Sequence, residues 1–229
     1  MQKKRHIPLD PVEAPLLLYD NIMSICEVKA IDVHAHYGIF RKDESPMFRH
    51  WMSAEPIKVA ERAAAANTEL TFVSASPGLA PICDNDAVSS NEMSEYDIQS
   101  IAPLRFWVIV DPTKPRTYEQ ADRMLKLPHC VGMKIHPEGH GYPISKFGPE
   151  LFRCAAEQHA VVLSHSGQEN SKPEEFATLA NEFTDVDVII AHLGNSWDDD
   201  PTHQVAAVQH TRHGNLYIDT SSSQSMLSG

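Results

Sequence analysis

Seven short apolar runs, each followed by a longer amphipathic or polar stretch, constrain the fold of this chain more than any other feature. The runs are Val28–His34, Glu69–Ala75, Leu104–Val110, Cys130–His136, Ala160–Ser164, Val186–Ala191 and Asn215–Asp219. Several stop at Gly or Pro: Asp111-Pro112 ends the third, Pro137 the fourth, Gly167 the fifth and Gly194 the sixth. Short apolar runs bounded in this way read as strands buried on both faces of a parallel sheet. Between them lie helical candidates at Pro56–Asn67, Tyr118–Lys126, Pro149–His159, Pro173–Phe183 and Pro201–His213. Pro56, Pro149, Pro173 and Pro201 each suit a first turn, where a missing N–H costs nothing. Strands alternating with helices imply βαβ units. Two long connections, Phe40–Glu55 and Ser76–Ala102, carry no assigned element.

Two architectures satisfy that pattern: a doubly wound open sheet and a (β/α)8 barrel. Neither GxGxxG nor GxxxxGK[ST] occurs, so nothing favours a nucleotide-binding open sheet. A (β/α)8 barrel typically takes about 250 residues, and this chain has 229. The expected organisation is an N-terminal extension with a short helix over residues 1–27, then a barrel over 28–229 that lacks its eighth βα unit.

Charge and cysteine usage narrow the partners. A net charge of −12 gives no basic footprint for nucleic acid or an anionic membrane. No apolar run approaches the roughly 20 residues that span a bilayer. The basic start, Met1 to His6, leads into Pro8, Asp10, Pro11 and Glu13 rather than a signal-peptide core. Cys26, Cys83, Cys130 and Cys154 form no CxxC pair and read as reduced thiols. A cytoplasmic protein acting on a small molecule is expected, with a homo-oligomer left open.

The chemistry lies at the strand ends. His34 and His36 are two apart, so both side chains leave the strand on one side, and Asp32 shares that parity. Two imidazoles so placed can grip one metal ion, although a hydrogen-bonded pair at a strand end would look the same in sequence. His136, His165 and His192 end the fourth, fifth and sixth runs. The C-terminal ends of strands are where barrel enzymes build their active sites.

With these residues in place, the sequence resembles the amidohydrolase superfamily, in particular its amidohydrolase-related family of metal-dependent barrel hydrolases. The resemblance rests on Ile31-Asp32-Val33-His34-Ala35-His36, Val131-Gly132-Met133-Lys134-Ile135-His136-Pro137, Ser164-His165-Ser166-Gly167, Ala191-His192-Leu193-Gly194 and Asn215-Leu216-Tyr217-Ile218-Asp219-Thr220-Ser221. It implies a metal ion held by His34, His36 and His165, with His192 binding a second metal or acting in acid–base chemistry. Lys134 falls where some relatives carry a carbamylated lysine bridging two metals; an ammonium facing a carboxylate or an anionic substrate is the alternative. His136 could face the same site, although Pro137 places it at the start of a loop.

Weaker candidates surround these. Glu138-Gly139-His140-Gly141-Tyr142-Pro143 would shape a substrate pocket or simply pack. Arg41, Arg49, His50 and Trp51 lie where a lid would sit, and Trp197-Asp198-Asp199-Asp200 suits a solvated helix start. The family pattern also closes with an aspartate at the end of strand eight, and nothing after Asp219 supplies it. Asp219 itself belongs to strand seven and aligns with a structural position of the family. The resemblance therefore implies a divalent-metal hydrolase of amides, esters or lactones. Zinc is the expected ion, and iron and manganese also suit the ligands. A non-oxidative decarboxylase and a catalytically impaired metal-binding fragment are the alternatives.

Overall fold

A computed structural model describes residues 28–39, 46, 50, 53–79, 86–195 and 200–221. The expected extension over 1–27, together with Arg41, Arg49, Trp51 and Trp197 to Asp199, lies outside the described residues. In chain order the elements are β1 (Ala30–Tyr37), α1 (Pro56–Ala65), β2 (Thr68–Ala75), a 3-10 turn (Ser76–Gly78), α2 (Ala87–Ile98), β3 (Leu104–Ile109), α3 (Arg116–Met124) and β4 (Cys130–Ile135). There follow a one-turn helix α4 (Pro137–His140), α5 (Ile144–Glu157), β5 (Val162–Ser164), α6 (Pro173–Glu182), β6 (Val188–Ile190), α7 (Thr202–His210) and β7 (Leu216–Ile218).

The strands form one sheet in the order β1 to β7, and every neighbouring pair is parallel. The sheet curls. His34 on β1 reaches Asp219 just beyond β7 at 2.7 Å and Lys134 on β4 at 2.9 Å. First, middle and last strands thus meet at their C-terminal ends. This is a (β/α)8-type barrel showing seven strands among the described residues, with none between β7 and β1.

Two apolar layers hold it. The larger lies between strands and helices and includes Val73, Phe106, Met133, Leu151, Phe152, Phe176 and Ile190, all at most 1% exposed. The inner one, Trp107, Leu163 and Ala191 with Phe72, Val131, Val161 and Ile189, fills the barrel interior. The Trp107 indole N–H also donates across the interior to the Val33 carbonyl (3.0 Å). On the β7–β1 side the described residues leave the interior open. A cavity of about 520 Å³ opens there, lined among others by Val33, Ile189, Tyr217 and Asp219.

Three elements differ from expectation, each for a physical reason. Helix α2 lies inside the unassigned Ser76–Ala102 connection because the middle of the face it buries is polar, Ser90, Asn91 and Ser94, with Ala87 and Ile98 buried only at its ends. Asn91 donates to the Ile109 carbonyl (2.8 Å) and accepts from the Ile109 amide (2.7 Å), completing the end of β3. A helix docked through hydrogen bonds leaves no apolar stripe to read. Helix α5 starts at Ile144, so Pro149 sits inside it rather than in its first turn. Finally, β1 runs on to Tyr37, which keeps His36 within the strand.

Candidate metal centre

The cluster builds outward from β1. A register shift between Asp32 and Ala35 interrupts the strand's regular pairing with β2, and such a bulge re-aims side chains. Asp32 accepts a hydrogen bond from the His34 amide (3.0 Å) and takes no part in the cluster. The rings of His34 and His36 lie 4.9 Å apart, edge to face. His192, just past β6, lies 5.1 Å from His34, and His165, just past β5, lies 5.0 Å from His192. His136, just past β4, stacks on His165 at 4.3 Å with 7° between the planes. Lys134, 1% exposed, faces His34 Nε2. The structure therefore brings together all six residues singled out from sequence: His34, His36, Lys134, His136, His165 and His192.

Hydrogen-bond partners fix which nitrogens are free. A carboxylate only accepts, so His34 Nδ1–H donates to Asp219 Oδ2 (2.7 Å). His192 Nδ1 lies 3.1 Å from the Ser221 carbonyl and so donates as well. His165 Nε2 donates to Gln168 Oε1 (2.7 Å), which leaves its Nδ1 bare. His136 Nδ1 instead accepts from the Gly139 amide (2.9 Å) at the start of α4. His34 Nε2, His192 Nε2 and His165 Nδ1 are then unprotonated, as is His136 Nδ1, whose lone pair the Gly139 amide occupies.

Burial keeps these rings neutral. It brings His34 down to about 4, helped by the charge of Lys134, and His165 to about 3, helped by His192. Burial likewise lowers His192 and His136. Lys134 falls to about 7 through burial, against the pull of Asp219. Burial pushes Asp219 up, but hydrogen bonds from His34, His192 and Ser221 outweigh it and hold the acid well below its ordinary range.

These shifts predict an acid-sensitive fold. Between pH 6.5 and about 4, the unfolded chain binds protons at His34 that the folded chain refuses, and His165 extends the window to about 3. Stability therefore falls as the pH drops through that range. Asp219 adds to the loss only below its ordinary 3.8. The denaturant midpoint of the metal-free protein should decline steadily on mild acidification. An unchanged midpoint would mean that the rings charge within the fold.

Asp219 is the residue that sequence reasoning undervalued. Besides the bond to His34, its Oδ1 accepts from the amides of His192 (2.9 Å) and Ser221 (3.0 Å) and from the Ser221 hydroxyl. It supports His192 in a left-handed conformation, φ 68°, a strained state for a non-glycine residue. The signal was present: Asp219 ends its run as the histidines end theirs.

The donor set suits a divalent cation. Ligand atoms of His34, His192 and Asp219 lie within 4.8 Å of one another, His36 and His165 flank them, and neutral imidazoles with a carboxylate match zinc and its neighbours. The Amidohydrolase family profile matches residues 31–227. The chain belongs to the amidohydrolase family. It is therefore an enzyme, a metal-dependent hydrolase in general type.

Solved structures agree on the fold of this amidohydrolase. An uncharacterized TIM-barrel protein from Bordetella bronchiseptica superposes with a TM-score of 0.56 at 14% identity, over 84% of this chain and 75% of its own. D-hydantoinase (dihydropyrimidinase) from Thermus sp. gives 0.53 at 17% identity, over 82% and 45%. Metarhizium anisopliae IDCase in apo form gives 0.52 at 12%, over 74% and 66%. The chain thus spans from under half to three quarters of the length of these proteins. No curated protein matches the sequence. No described helix is long and apolar enough to cross a membrane.

Proposed function

We propose that this amidohydrolase cleaves an amide, ester or lactone bond in a small molecule, using one divalent ion, zinc by preference, held by His34, His36 and His165. The observation that supports this reading is the convergence of His34, His36, His165 and His192, all kept neutral by burial, at the C-terminal ends of β1, β5 and β6. When bound, the ion would polarise the substrate carbonyl and lower the pKa of water from 15.7 towards about 7.

The chain supplies the rest. His192, with its Nε2 unprotonated, takes a proton from the attacking water and returns it to the leaving group. Its Nδ1–H stays on the Ser221 carbonyl throughout, which fixes the ring. Lys134 sets a condition on loading. Its Nζ faces His34 Nε2 at 2.9 Å, so an ammonium there would repel a cation at that nitrogen. A lysine brought down to about 7 loses that proton readily, and metal binding should release it.

Elemental analysis after zinc loading and desalting should find close to one ion per chain. Content far below that would overturn the reading. The loaded enzyme should then hydrolyse members of an ester and lactone panel. Carbon dioxide release from aromatic carboxylic acids, with no hydrolysis, would reassign the site to decarboxylation.

A further inference from the structure

Asp219 lies close enough to His34 and His192 to share an ion with them, yet its Oδ1 is saturated and its Oδ2 already holds the His34 ring. A carboxylate offers about four lone-pair sites. Oδ2 holds His34 Nδ1–H, while Oδ1 holds the amides of His192 and Ser221 and the Ser221 hydroxyl. A second observation points the same way from the far side of the ring. As an ammonium Lys134 has only donors to give, so in that form, at 2.9 Å, it meets a lone pair on His34 Nε2.

We infer that Asp219 is a positioning residue: it holds His34 as the Nδ1–H tautomer and thereby presents the Nε2 lone pair as the ligand, rather than binding the ion itself. This deepens the metal reading above and rests on it. Carboxylates that accept the second N–H of a ligand histidine fix its ring and raise its basicity. Here that carboxylate comes from just beyond β7 and reaches β1 directly across the seam between the first and last strands.

Asp219→Asn tests the inference. Three donors converge on Oδ1, so the amide oxygen must stay there, and the new NH2 group takes the place of Oδ2. It then faces His34 Nδ1 as a donor and drives the ring to the Nε2–H tautomer. Long-range ¹H–¹⁵N spectra of the metal-free proteins, with His34 identified by its loss in His34→Gln, should show Nδ1–H in the parent and Nε2–H in the variant. Zinc affinity, measured by competition with a chromogenic chelator, should fall about 10- to 100-fold.

A parent His34 protonated on Nε2 would overturn the inference, and this readout needs no folded variant. Loss of zinc with the tautomer unchanged would also overturn it, making Asp219 a direct ligand. A switched tautomer in a protein whose parent binds no zinc would confirm the positioning of His34 and reject the metal reading instead.

Discussion

His165→Ala is expected to abolish zinc retention through desalting and to lower kcat/KM by about 10³-fold or more. The reasoning starts from what that ring does. It stands between His136 and His192, at centroid distances of 4.3 and 5.0 Å, with Nε2 held by Gln168. Truncation removes one of three proposed ligands, a larger change than the loss of a supporting hydrogen bond, which alone costs 10- to 100-fold in affinity. A bound metal is worth several kcal/mol of transition-state stabilisation, and each 1.36 kcal/mol is tenfold in rate. The folded state should survive, because His165 is neutral and no buried charge loses its partner. Gln168→Ala should weaken zinc by only about tenfold, since it frees the ring without removing it. If His165→Ala keeps its zinc, the ion sits instead between His34, His192 and Asp219.

Periodicity and strand-end chemistry carried most of this architecture. Each of the seven apolar runs contains or overlaps a strand, since a strand buried on two faces must be apolar almost throughout. Histidines at the ends of β4, β5 and β6 were legible because such residues in consecutive units have no shared packing explanation. What escaped depends on contacts between distant segments. Helix α2 docks through Asn91 and Ser94, so its buried face reads as solvent-exposed. Pro149 looked like a helix start because the actual start, Pro143-Ile144, follows a turn at Gly141 with φ 69°. Asp219 looked structural because its value arises only when the curl of the sheet brings β7 against β1. The tautomers of His34 and His192 follow from that closure and from nothing local.

Gly167→Ala is expected to destabilise the protein by about 2–5 kcal/mol, a large share of the roughly 5–15 kcal/mol typical of a native domain. Gly167 has φ 99°, and a Cβ there would stand 1.5 Å from the Asn195 carbonyl oxygen and 2.5 Å from its carbon. A left-handed alanine costs roughly 1–2 kcal/mol, and overpacking adds typically 1–3 kcal/mol. The obstacle is backbone, so no side chain can swing aside. That carbonyl also accepts from Gln204 Nε2 (2.6 Å), and Asn195 in turn donates from Nδ2 to the Ser166 carbonyl. Alanine must therefore push the loop after β6 away from the loop after β5, and with it His192 away from His165. Gly214→Ala separates the two contributions. Gly214 has φ 69° with nothing within 4 Å of its would-be Cβ, so it should cost only the conformational part, about 1–2 kcal/mol. Denaturant midpoints of both variants decide the matter. Equal losses would mean that the loop contact at Asn195 does not hold the two histidines at their spacing.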